Sequence, residues 1–164
     1  MKHLNTRIPR SMGGFTIIEI MITLVIAGIL LAAAAPSFTN LIRRQNITAY
    51  ANEFGTTVNL ARSEATKRGE SVIITSTSGN TDWAQGWTLN VISSGLLLRT
   101  SPPLQGDSTF ASGISNSVTF NSRGFTTLGA EETWSLCNTN VPEGRRIRIA
   151  VTGRISVREI NPCP

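Results

Sequence analysis

Residues 17–35, IIEIMITLVIAGILLAAAA, contain two polar side chains, Glu19 and Thr23, in nineteen positions. As a helix rising 1.5 Å per residue the run covers about 28 Å, close to the roughly 30 Å hydrocarbon core of a bilayer. The direct reading is a single membrane-spanning helix. A cleaved secretory signal is the alternative, with Lys2, Arg7 and Arg10 as its basic flank and a cut among the alanines 32–35. Three features weigh against it: a carboxylate in the apolar centre, Pro36 crowding the cut, and a helical pattern that continues past Pro36. Charge inside an apolar span is costly and usually has a task, so Glu19 needs an explanation of its own.

Beyond Pro36 the apolar residues Ile47, Tyr50, Phe54, Val58, Ala61 and Ala65 recur every three or four positions, which is one face of a helix. Arg43, Arg44, Glu53, Arg62, Glu64 and Lys67 fall largely between them. Lys67 and Arg68 suit the negative end of the helix dipole, and Gly69 is placed to cap it. The pattern predicts one helix over residues 15–68, about 80 Å long. Its first part, 15–36, is apolar enough to span a membrane; its second, 37–68, is amphipathic. Pro36 is expected to kink or loosen it between the two.

From residue 69 the grammar changes to short β-type runs separated by Gly, Ser, Asn and Pro. Strands are expected at 71–77, 87–92, 96–100, 117–121, 133–137, 146–151 and 155–160, with 101–117 as the longest irregular loop. The fold class is therefore α+β: a long N-terminal helix packed on an antiparallel β head, residues 69–164, of two small sheets.

Two sets of residues carry a resemblance. A short basic leader, 1–14, ends in Gly14 and is followed by Phe15, Thr16 and Glu19 at the head of the apolar helix. This resembles the class III signal of type IV pilins and type II secretion pseudopilins. Downstream, LARSEATKRGESVII (60–74), QGWTLNV (85–91) and SVTFNSRG (117–124) are similar to the GspH/FimT family of minor pilins. The resemblance implies a pilin-like fold, cleavage after Gly14 by a prepilin peptidase and N-methylation of Phe15. It also implies a single pass through the bacterial inner membrane with the head in the periplasm, followed by incorporation into a filament or its tip beside other major and minor pilins. The implied function is pilus assembly or initiation, with DNA binding for uptake in natural transformation. A GspH-like minor pseudopilin of a type II secretion system is the alternative, because the helix chemistry is shared.

Within that frame Glu19 becomes an assembly charge. Cleavage would free a cationic amine on Phe15, one helical turn before the carboxylate. In a low-dielectric setting each charge lowers the cost of burying the other, whether the amine is its own or a neighbouring subunit's. Gly14 suits the junction because a residue without a side chain lets the scissile bond approach catalytic groups closely.

Cys137 and Cys163 are the only cysteines. A head that follows an exported helix lies in an oxidising space, so the two are expected to form a disulfide, contributing roughly 3 kcal/mol on the chain-entropy estimate. The bridge would tie down the segment that holds Arg145, Arg146, Arg148, Arg154 and Arg158. Placement matters more than total charge here, since the formal +5 falls to +2 without Lys2, Arg7 and Arg10. Alternation puts Ile147, Ile149 and Val151 on one face of a strand and Arg146 and Arg148 on the other. A three-residue loop, 152–154, would pair Val151 with Ile155, place Arg154 at the tip and set Arg148 across from Arg158.

Opposed like charges are unfavourable, and a polyanion would relieve them. The resemblance points the same way, because DNA-binding FimT proteins carry a C-terminal Gly-Arg-x-Arg element. Gly153 and Arg154 match it, Ser156 stands where the second arginine would be, and Arg158 on the same face is the substitute. The alternative is a solvated basic hairpin paired with Glu143 and Glu159. Arg62 and Arg68, on the helix, are expected to contribute little to DNA binding.

An enzyme finds no support. The sequence has no Gly-rich phosphate loop, no nucleophile elbow and no clustered metal ligands, and its one histidine, His3, lies in the leader. Glu131 and Glu132 are adjacent and would point apart on a strand. Trp83, Trp87 and Trp134 are read as core or sheet-edge residues in preference to a base-stacking platform. No catalytic residue, cofactor or metal is expected.

Overall fold

The computed structural model describes residues 14–164, so the expected leader lies outside the described residues apart from Gly14. The chain divides into two compact units, Met1–Phe38 and Thr39–Pro164. Helix α1, Ile17–Arg68, continues through Pro36. Its end follows the local chemistry: Arg68 Nε donates to Glu64 at 2.8 Å, and Gly69 takes a positive φ of 70° that stops the helix. The same Arg68 hydrogen bond holds the Glu64 carboxyl below its ordinary range.

In the first unit every large apolar side chain from Ile17 to Leu31 is more than half exposed. Among the described residues nothing covers this surface.

The second unit has one core. Ile47, Phe54, Val58, Ala61 and Ala65 are buried as the periodicity predicts, Tyr50 is half-buried, and Ala51 joins them. The core is closed by two four-stranded antiparallel sheets. One contains β1 (Val72–Ser76), β2 (Trp87–Val91), β3 (Leu97–Ser101) and β5 (Ser117–Phe120) in the order β3-β2-β1-β5. The other contains β4 (Ser108–Ser112), β6 (Glu132–Asn138), β7 (Val141–Ile149) and β8 (Ile155–Ile160) in the order β4-β6-β7-β8. Strict alternation in β1 and β2 turns Val72, Ile74, Trp87, Leu89 and Val91 inward.

Phe54 is the centre of this core. Its ring meets Trp83, Trp87 and Phe110 edge-on at centroid distances of 5.4, 5.2 and 5.0 Å, with Trp134 at 5.8 Å. The indole N–H of Trp83 donates to the Ser115 carbonyl and that of Trp87 to the Thr57 hydroxyl. All three tryptophans are fully buried, so none is available to stack on a base.

Two expectations need correction. The segment 101–117 is not an irregular loop, because β4 runs through it, turns Phe110 into the aromatic cluster and pairs with β6. The strand expected at 146–151 begins earlier, at Val141, and ends at Ile149; Val151 lies outside it and is exposed.

The Cys137–Cys163 disulfide is present, with its Cα atoms 6.0 Å apart. Gly144 makes room for it. A Cβ there would collide with Cys163 Sγ and lie 2.6 Å from the Leu136 carbonyl oxygen. The last segment is further held by the Cys163 N–H, which donates to the Pro142 carbonyl at 2.9 Å.

Candidate functional site

At the start of α1 the Thr16 hydroxyl accepts a hydrogen bond from the Glu19 N–H at 3.3 Å. Thr16 is therefore the N-cap and Glu19 the third helical residue, the Thr-x-x-Glu pattern of a capping box. A carboxylate there also faces the positive end of the helix dipole. Thr23, the other polar residue of the apolar run, donates its hydroxyl to the Ile20 carbonyl at 2.8 Å. Its polarity is thus spent within the helix, whereas Glu19 places a carboxyl group in the first turn.

The β7–β8 hairpin has a different offset from the one alternation suggested. Ile149 pairs with Ile155, Ile147 with Val157, Arg148 with Ser156, and Arg146 with Arg158. The connection is residues 150–154, two longer than the expected three-residue loop. A shift of two preserves which side chains share a face, but it moves the opposed pair from Arg148/Arg158 to Arg146/Arg158.

The arginines then divide by partner. Arg145 points back toward α1, with Glu159 at 2.7 Å and the Thr48 hydroxyl at 3.2 Å. Arg148 lies 3.8 Å from Glu131. Glu143 is taken by Arg44 at 3.0 Å. Among the described residues no carboxylate lies within ion-pair distance of Arg146, Arg154 or Arg158.

Gly153 has a structural reason to precede Arg154. Its φ is +76°, and a Cβ there would stand 2.6 Å from the Gly124 carbonyl oxygen and 3.1 Å from the Phe120 ring. The hairpin tip and the turn after β5 are stitched together by the Thr126 N–H donating to the Val151 carbonyl at 2.9 Å. Gly153→Ala is accordingly expected to destabilise the head by about 2–4 kcal/mol, combining left-handed backbone strain with overpacking. Thermal denaturation checks this; an unchanged midpoint would show that the tip yields freely.

Two arginines at this tip were not among the candidates. Arg62, expected to stand apart on the helix, lies directly beneath both glycines. A Cβ on Gly124 would sit 3.2 Å from Arg62 Nε, and one on Gly153 would sit 3.5 Å from its Cδ. Arg123 precedes Gly124 in a turn organised by the Asn121 side chain, which accepts from the Arg123 and Phe125 N–H groups at 3.0 and 3.1 Å. The Arg-Gly ending of SVTFNSRG was the available signal.

Glu131 and Glu132 do not form a carboxylate pair. Glu132 is buried and accepts from the backbone N–H groups of Ile114 and Ser115 at 3.2 and 2.7 Å, while Glu131 is exposed beside Arg148.

Residues 50–153 match the profile of the family described as Type II transport protein GspH. The chain belongs to the GspH family. Residues 9–35 match the prokaryotic N-terminal methylation motif, which brackets the Gly14–Phe15 junction. Two crystal forms of the type IV minor pilin FimU from Pseudomonas aeruginosa share the fold of this GspH-family chain. One has a TM-score of 0.64 at 23% identity, covering 74% of this chain and 98% of FimU. The other has a TM-score of 0.60 at 24% identity, covering 71% and 99%. A search of curated protein sequences finds no significant match. The GspH family and this fold are those of minor pilins and pseudopilins, which are structural proteins.

Proposed function

We propose that this GspH-family chain is a minor type IV pilin. It is cleaved after Gly14 by a prepilin peptidase, N-methylated on Phe15 and held in the inner membrane with its head in the periplasm. Residues 15–36 then pack into a pilus, at or near the tip, where the subunit helps initiate assembly and captures DNA for uptake. The observation that carries this reading is the apolar helix, exposed all round from Ile17 to Leu31 and opened by a charged first turn at Glu19. Such a surface suits lipid first and neighbouring apolar helices afterwards.

The DNA half of the reading rests on Arg146 and Arg158, which face each other across β7 and β8. Opposed cations repel, and phosphate relieves the repulsion without regard to sequence. Contacts from Arg146, Arg148, Arg154 and Arg158 are expected to contribute about −3 to −4 to the slope of log affinity for duplex DNA against log salt, measured on the full chain in detergent micelles. Changing Arg146 and Arg158 together to Gln should make the slope shallower by about two. No binding near 50 mM salt would remove DNA from the function, and undiminished binding after Arg146, Arg148, Arg154 and Arg158 are all changed to Gln would remove the hairpin as its site.

A second reading is favoured by the description of the matched family as a type II transport protein. On it the chain is a minor pseudopilin, and deletion blocks protein secretion while pili persist.

A further inference from the structure

We propose that Arg62 and Arg123 join Arg154 in one phosphate-binding site at the tip of the β7–β8 hairpin, so that bound DNA runs from the hairpin face over the tip to helix α1. The inference rests on the reading that this chain binds DNA, and it extends the contact surface to two elements outside the hairpin.

Three elements meet at this point: the helix at Arg62, the turn after β5 at Arg123 and the hairpin at Arg154. They meet closely because Gly124 and Gly153 both have positive φ and no side chain, which lets the Gly124 carbonyl approach Gly153 and the Arg62 stem approach both. Arg62 uses its aliphatic stem for this packing while the residue as a whole stays exposed. Arg123 and Arg154 are exposed too, and each is the chain neighbour of a glycine that touches Arg62. With adjacent Cα atoms 3.8 Å apart and the two glycines in close approach, the Cα atoms of the three arginines are tethered within about 15 Å of one another.

That span corresponds to at most about four nucleotides at 3.4 Å of rise per strand. Among the described residues no carboxylate lies within ion-pair distance of Arg62, Arg123 or Arg154, although Arg44, Lys67, Arg68, Arg99, Arg145 and Arg148 each have one. Three such forks gathered without an anion favour a phosphate backbone, which guanidinium groups bind in bidentate fashion.

The test uses the full chain in detergent micelles and a fluorescent duplex of mixed sequence, titrated at several salt concentrations. Changing Arg62 and Arg123 together to Gln is expected to make the salt slope shallower by about two, as large an effect as Arg146→Gln with Arg158→Gln. Arg123→Gln alone, at a side chain on the exposed turn, should give about one, so the result does not depend on Arg62's packing role. Lysine at both positions should keep the parental slope, because the charges remain. A parental slope in the Gln variants, with the Arg146/Arg158 variant still weakened, overturns the tip site and leaves the DNA reading standing. A parent that fails to bind overturns both.

Discussion

Replacing Phe54 with alanine is expected to lower the melting temperature of the full chain's β head by about 10–20 °C, the largest stability effect of any single side chain here. The ring is fully buried and is shared by Trp83, Trp87 and Phe110, with Trp134 beside them. Removing a buried Phe costs about 3–5 kcal/mol in lost transfer energy and cavity, and each edge-on aromatic contact adds about 0.5–1.5 kcal/mol beyond area. Whole-domain stability is only about 5–15 kcal/mol, so this one truncation consumes much of it. Tryptophan fluorescence reports it directly, since all three indoles line the cavity. Phe38→Ala is the control, because Phe38 is 63% exposed and lies outside the head. A Phe54→Ala melting point within a few degrees of the parent would show that the four surrounding aromatics collapse into the gap.

The prominence of Phe54 follows from a pattern that the chain displays openly. A stripe of apolar residues at three- and four-residue steps fixes a helix face, and burial then follows from the period alone. Strand β8 and most of the first sheet were legible for a similar reason: β-branched residues in short alternating runs between Gly and Ser. β4 was not legible, because Ser108, Thr109, Ala111 and Ser112 leave one large apolar residue, Phe110, in five. That strand is held by pairing with β6, a tertiary fact. The early start of β7 was hidden by Pro142 and Gly144, which read as punctuation. Gly144 is there because the disulfide leaves no room for a side chain.

The site divides in the same way. Alternation decides which hairpin residues share a face, and it correctly set Arg146 and Arg158 outward. It cannot decide the offset, since a slip of two residues satisfies it equally. The observed slip leaves Arg146 facing Arg158, while the pairing of β7 with β6 on its other side gives Arg148 a partner in Glu131. Arg62 was assigned to the helix side because sequence distance from the hairpin hides the contact made through Gly124 and Gly153. Glycines that serve a close approach look, in sequence, like glycines that serve a turn.

Glu19→Val is expected to leave the chain inserted in the membrane and cleaved, yet reduce its incorporation into filaments at least about tenfold in cells without the native copy. Insertion should survive because valine is cheaper than a carboxylate in the apolar region. Incorporation should not, because a charge contact worth even about 1.4 kcal/mol shifts an equilibrium tenfold, and a partly desolvated pair contributes more. The Thr16–Glu19 contact makes a second variant necessary. The Glu19 N–H that meets the Thr16 hydroxyl would survive in valine, but in a capping box the carboxylate at this position returns a bond to the N-cap N–H, so valine would remove that acceptor as well as a charge. Glu19→Gln keeps the acceptor and removes only the charge. If docking depends on charge, the Gln variant fails as the Val variant does; if Glu19 serves only to start the helix, Gln restores incorporation. Mass spectrometry of both variants should show a chain beginning at N-methylated Phe15, which separates failed docking from failed processing. Parental incorporation of the Val variant would end the assembly role, and a mature chain beginning among residues 33–37 would mean that the apolar run is a secretory signal.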